Sequence, residues 1–297
     1  MPEYPDITVY IERLEDLLKN QVLEKVRLLS PFFLRSVDPP VSSIEGLTLR
    51  HFRRMGKRIV FSLADDYYLI IHLMIAGRLY WKKKGVAVPR KNGLAAFDFS
   101  NGSLLVIEHS TKKRASLHII HGASSLEEFD PGGLEIFEAS LHEFRERLVS
   151  ENHTLKRALT DPRLFSGIGN AYSDEILHRA RLSPLRLTQK MDDEQVERLF
   201  DAAKTVLQEW TARLREETGR GFPEKVTAFH EDMAVHGRYK KPCPVCNTQI
   251  QRIQYAENET DYCPRCQTGG KLLADRVLSQ LLKKDWPRAI EELEGKK

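Results

Sequence analysis

Residues Ala95 to Ile107 read Ala-Ala-Phe-Asp-Phe-Ser-Asn-Gly-Ser-Leu-Leu-Val-Ile, two short apolar runs on either side of Asn101-Gly102. Runs this short, flanking an Asn-Gly pair, are the strongest local signal for a β-hairpin. The pattern repeats upstream. Further apolar or alternating runs occupy 22–29, 44–52, 58–63 and 68–75, with Asp65-Asp66 between the last two. The stretch from about Val22 to His121 is therefore predicted to be an antiparallel sandwich or barrel, ended by Pro131-Gly132-Gly133.

On both sides the period changes from two to about 3.6. Ile7, Tyr10, Ile11, Leu14, Leu17 and Leu18 recur at helical spacing, so a helix begins directly after Pro5 and Asp6. Such a helix points the positive end of its dipole at the N-terminus, which disfavours a protonated amine there. Helical spacing returns with Leu141, Phe144, Leu148, Leu155 and Leu159. Then Gly167-Ile168-Gly169-Asn170 leads into a second helix, with Asn170 as N-cap and Asp174 and Glu175 in its first turn. Two glycines before a helix start leave backbone N–H groups available to a phosphate, although a plain helix-turn-helix connector has the same look. A further helix carries Val196, Leu199, Phe200, Ala203, Val206, Leu207 and Trp210.

The four cysteines of the chain fall as Cys243-x2-Cys246-x16-Cys263-x2-Cys266. Two Cys-x-x-Cys turns at this separation suit a four-thiolate zinc site. The alternative is a pair of disulfides. Glu3, Asp6, Glu12, Arg13, Glu15 and Asp16 interrupt any secretory apolar run, so a reducing cytosol and a metal are expected. Four thiolates leave no open position, which makes the single zinc structural.

A net charge of +4 over 297 residues is mild. Its clustering is more informative: Arg50, Arg53, Arg54, Lys57 and Arg58; Lys82 to Lys84 with Arg90 and Lys91; Lys112, Lys113 and Arg114; Arg238, Lys240 and Lys241. Four such groups either meet along one phosphate track or are separately solvated loops. No apolar stretch is long enough to cross a bilayer. At the other extreme of the chain, Pro2 permits removal of Met1, which leaves a secondary amine able to attack a carbonyl-like carbon and form an iminium ion, with Glu3 beside it to move protons.

Taken in order, Met-Pro-Glu-x-Pro, Arg53-Arg54-Met55-Gly56-Lys57, Ile71-His72-Leu73 before Ala76-Gly77, Gly167 to Leu177 and the cysteine module resemble the Fpg/Nei family of DNA glycosylases over nearly all of the chain up to Gln267. The resemblance implies an α+β fold: an N-terminal antiparallel β-sandwich with a leading helix (1–133), a helix-two-turn-helix domain (134–222), a zinc-finger hairpin (223–268) and a helical C-terminal extension (269–297). It implies catalysis by Pro2, Glu3 and Lys57, and DNA contacts from Gly169, Asn170, Lys112, Lys113, Arg114 and Ile75. The substrate would be duplex DNA with oxidised or ring-opened bases or abasic sites, met by a cytoplasmic, nucleoid-associated monomer.

Three departures from the family pattern stand out. Met74-Ile75-Ala76-Gly77 replaces Gly-Met-Ser/Thr-Gly. Ser110 to Ala115 replaces Asp-Pro-Arg-Arg-Phe-Gly, with Arg114 at the Phe position. Asn258 stands five residues before the third cysteine, where the family carries an arginine, with acidic Glu259 and Asp261 beside it. These leave two other readings open: a non-catalytic damaged-DNA-binding protein on the same scaffold, or the same lyase chemistry on an unusual lesion. Beyond Gln267, an amphipathic helix is expected over 271–282 through Leu272, Leu273, Val277, Leu281 and Leu282, followed by Trp286, Ile290 and Leu293.

Overall fold

The computed structural model describes residues 1–225, 227–255, 258–273 and 288–294. They form two compact units, Met1–Pro131 with Trp210–Thr227 and Gly132–Glu209 with Ala228–Lys297.

In the first unit α1 (Tyr4–Leu18) precedes eight antiparallel strands: β1 (Lys25–Leu28), β2 (Leu49–Met55), β3 (Arg58–Leu63), β4 (Tyr67–His72), β5 (Gly77–Lys82), β6 (Gly93–Phe99), β7 (Gly102–Glu108) and β8 (Ser116–His121). They make two four-stranded sheets, ordered β1-β6-β7-β5 and β2-β3-β4-β8. Ile59, Phe61, Leu69, Ile71, Leu117 and Ile119 of one sheet share a buried core with Leu79, Ala95, Phe97, Leu104 and Val106 of the other, joined by Ile7, Tyr10, Leu14 and Leu18 of α1. Phe61 bridges the layers, its ring centroid 4.8 Å from that of Phe52 and 6.4 Å from that of Phe97. Each fully buried side chain of this size contributes about 1.5–3 kcal/mol of hydrophobic stabilisation. The sequence pattern is thus resolved as a sandwich.

Two turns explain the register. Phe99 pairs with Gly102, so the β6–β7 loop is Ser100-Asn101 and Gly102 is already in the strand. A Cβ on Gly102 would stand 2.3 Å from the Trp81 indole, so glycine is needed there for close approach. The left-handed pair lies elsewhere: Asp65 and Asp66 have φ of 54° and 57°, as a two-residue hairpin turn of the primed type demands. The run expected to reach Ile75 stops at His72, because Met74 turns left-handed with φ 52°.

The second unit holds α3 (Leu141–Val149), α4 (Leu155–Thr160), α5 (Asn170–Arg179) and most of the 26-residue α6 (Asp193–Thr218), after a short α2 (Ala123–Glu127) in the first. What reads as one helical periodicity is two helices, capped separately by Ser140 and Thr154, whose hydroxyls accept N–H bonds from Glu143 and Arg157. Phe144 lies 4.9 Å from Phe165 and 5.0 Å from Phe200, ring centroid to ring centroid, at the heart of this core. The cysteine module is the hairpin β9 (Gln251–Tyr255) and β10 (Asn258–Tyr262), followed by α7 (Pro264–Thr268). Most of the expected 271–282 helix, with Val277, Leu281, Leu282 and Trp286, lies outside the described residues. Among the described residues no helix is long and apolar enough to cross a membrane.

Candidate active site and zinc centre

The chain's first residues are held by a carboxylate. Asp6, in the first turn of α1, accepts the Glu3 N–H at 2.9 Å on one oxygen. Its other oxygen accepts the Thr227 N–H at 2.8 Å and the Thr227 hydroxyl at 3.0 Å. Burial raises the Asp6 pKa, and these donors oppose the rise. Pro2 and Glu3 are themselves buried. Burial also holds the N-terminal amine, carried by Met1 in the unprocessed chain, below its ordinary pKa; Glu3 and Asp6 oppose this, and the charges of Arg78 and Lys57 reinforce it. A neutral amine is what a nucleophile requires.

Lys57 occupies the tight turn between β2 and β3 after Gly56, whose φ of 59° suits the first central position of such a turn. Arg54 stacks its guanidinium 4.5 Å from the Tyr4 ring centroid and donates to the Gly56 carbonyl at 2.9 Å, which fixes this turn beside the start of α1. His72, across β3, is pushed down to about 4 by burial and then by Arg58 and Lys57, so its ring is neutral at physiological pH.

Ile75 sits at the tip of the β4–β5 turn with 56% of its surface exposed. Arg78 supports it from below, donating to the carbonyls of Gly77 at 2.6 Å and Ile75 at 3.3 Å. The segment 110–115 is organised by Glu108, a residue the sequence reading passed over. Its carboxylate accepts the Ser110 hydroxyl at 3.0 Å and the N–H groups of Arg114 at 3.0 Å and Ala115 at 3.2 Å. Lys113 turns inward to the Glu108 carbonyl, whereas Lys112 and Arg114 are exposed. Of the second basic group, Lys82 and Lys84 are engaged by Glu224 at 2.7 Å and Glu24 at 2.5 Å.

In the second unit the N-cap of α5 is Gly169 and Asn170 is its first helical residue, so the helix begins one position earlier than expected. Lys156 donates to the Asn170 carbonyl at 2.7 Å and pairs with Asp174 at 2.5 Å. Asp174 and Glu175, expected in the first turn, lie past it and are buried. Asp174 also meets His236 Nδ1 at 2.8 Å. Glu175 accepts the N–H groups of Ala234, Val235 and His236 at 2.7, 2.9 and 3.0 Å.

The four cysteine sulfurs all lie within 4.8 Å of one another, and none is in a disulfide. Burial, and proton sharing with Cys246, raise the pKa of Cys266 to about 12, and burial raises that of Cys263 as well. Cys246, by contrast, is pushed down to about 6, its burial outweighed by hydrogen bonds from Thr248 and its fellow cysteines; four sulfurs gathered this closely can all ionise only around a cation, so the residues fit zinc. Nε2 of His178 approaches Cys243 Sγ to 3.3 Å. A second cluster, Asp174, His236 and Asp261, has metal-like spacing, but Lys156 and Arg252 already supply its positive charge. Arg252 binds both oxygens of Asp261, at 2.7 and 2.9 Å, and reaches Glu259 at 2.6 Å, so the acidic residues beside Asn258 are neutralised within the hairpin.

The architecture matches known proteins along its length. Residues 1–113 match the formamidopyrimidine-DNA glycosylase N-terminal domain, 134–218 its H2TH domain and 240–269 the zinc finger found in FPG and IleRS. The chain is 30% identical over 278 residues to the formamidopyrimidine-DNA glycosylase of Exiguobacterium sp., covering 90% of this chain and 99% of that one. It is 31% identical over 281 residues to that of Heliobacterium modesticaldum, covering 90% and 100%. The chain belongs to the formamidopyrimidine-DNA glycosylase family. Within that family it also resembles the Lactococcus lactis Fpg bound to DNA containing an oxidised pyrimidine, with a TM-score of 0.80 at 25% identity over 90% of this chain and 100% of that one. For the glycosylase family the zinc finger is the expected C-terminal module, and here its four ligands are in reach of one ion.

Proposed function

We propose that this chain is a bifunctional DNA glycosylase and AP lyase of base-excision repair, acting on oxidised or ring-opened bases through the amine of Pro2 after Met1 is removed. The single observation that carries the reading is that Pro2 and Glu3 lie buried together at the start of α1, where Asp6 accepts the Glu3 N–H, in a member of this family. A flipped nucleotide presents C1′ to the amine. As the N–C1′ bond forms, the glycosidic bond breaks and its electron pair leaves with the base, which takes a proton; Glu3 is assigned to supply it. Loss of the amine proton and opening of the sugar ring, with a proton to its oxygen, give the iminium. That acidifies C2′, so a base can remove its proton and the 3′ phosphate departs.

Lys57 is assigned to the phosphates around the flipped nucleotide, and Ile75 to the space the base vacates, where an apolar side chain stacks well. Lys112, Lys113 and Arg114 are assigned to the duplex, and the backbone N–H groups at Gly169 and Asn170 to a phosphate. The protein is read as cytoplasmic and nucleoid-associated, and as acting as a monomer. Borohydride added during reaction with an abasic duplex is expected to freeze the iminium as a covalent adduct that mass spectrometry locates on Pro2, and an N-terminal extension is expected to abolish it. An adduct-free but DNA-binding protein would overturn catalysis in favour of a binding role.

A further inference from the structure

Cys243 has a neighbour besides its fellow cysteines. The imidazole of His178, 6% exposed, sets Nε2 3.3 Å from Cys243 Sγ. It does not join the group of ligand atoms that lie within 4.8 Å of one another, which the four sulfurs already complete. Its place is therefore outside the coordination tetrahedron, where an imidazole N–H can donate to a thiolate. A zinc ion with four thiolates carries an excess negative charge, and N–H donors to the sulfurs disperse it and hold each ligand in orientation. Cys263 has such a donor in the Cys266 N–H at 3.4 Å; for Cys243 the side chain of His178 takes this part.

His178 also belongs to α5, whose first residue is Asn170. The same helix grips the module's approach segment through Glu175 and the N–H groups of residues 234–236. The helix thus holds the module twice, once at its backbone and once at a metal ligand. We propose that His178 is a positioning residue that donates Nε2–H to the zinc-bound Cys243 thiolate and so fastens the metal to α5. The inference rests on the reading of the four cysteines as a zinc site.

The test uses the zinc-loaded full chain and two variants. His178→Phe keeps a ring without a donor, and His178→Gln keeps an N–H donor without a ring. Zinc transfer to excess chromogenic chelator is expected to be about 10- to 100-fold faster in His178→Phe, with most of the loss recovered in His178→Gln. In cadmium-113-loaded protein the metal resonance is expected to move in His178→Phe and to stay near the wild-type position in His178→Gln. Should phenylalanine overfill the site and prevent folding, His178→Leu takes its place as the donor-free variant. Wild-type release from the donor-free variant, or equally fast release from His178→Gln, overturns the proposal while leaving the zinc site standing. A wild-type chain purified with no zinc overturns both.

Discussion

Arg78 joins two parts of the candidate site, holding the carbonyls beneath Ile75 while its charge depresses the N-terminal amine. Removing that charge should let the amine hold its proton to higher pH. With Arg78→Gln, the rising acid limb of the lyase pH–rate profile is therefore expected to shift upward in pH relative to wild type; an unmoved limb means that Arg78 does not face the reacting amine. Asp6→Asn tests the other support. An amide can accept from Thr227 but presents an NH2 group to the Glu3 N–H, leaving one buried donor unpaired at about 1–3 kcal/mol. Lower stability in urea, together with a smaller yield of trapped adduct, is the expected result. Pro2, Glu3 and Lys57 were legible in the sequence because they sit in short local motifs. Glu108 and Thr227 were not, because Glu108 acts by accepting backbone N–H groups and Thr227 by donating to a carboxylate 221 positions away, and no residue spacing announces either.

At the scale of elements, β3, β6 and β7 stood out because each carries an unbroken apolar run, whereas β5 and β8 did not. In β5 only Leu79 is a buried apolar side chain, and β8 dilutes its core residues with Ser116, His118 and His121. Asn101-Gly102 announced the right hairpin for a reason other than turn geometry. Gly102→Ala is accordingly expected to cost about 1–3 kcal/mol by overpacking against Trp81, measured by denaturant unfolding; a neutral effect would mean that the indole moves aside freely. In the second unit, Glu175→Ala strips three backbone donors of their acceptor. Hydrogen exchange at Ala234, Val235 and His236 is expected to lose protection, while β3 and β4 keep theirs.

For the whole molecule, two separately buried cores argue against a single all-or-none transition. Calorimetry is expected to resolve two unfolding events, and a zinc chelator to lower only the one belonging to the unit that contains Cys243, Cys246, Cys263 and Cys266. One merged transition that moves as a whole on chelation would contradict this. The division itself was hard to read from sequence, since residues 210–227 pack with a unit they follow by some eighty positions.

The bond between Asp6 and Thr227 spans 221 positions of chain. A ribosome delivers Asp6 early and Thr227 late, so the pocket around the first residues stays open during most of synthesis. If the Pro2 amine is the nucleophile proposed above, an aminopeptidase gains its freest access to Met1 in that interval, since Met1 is half-buried and Pro2 buried once the fold is complete. On this view the proposed nucleophile is set by a race between trimming and closure, and a chain that folds before it is trimmed keeps a half-buried methionine in front of Pro2.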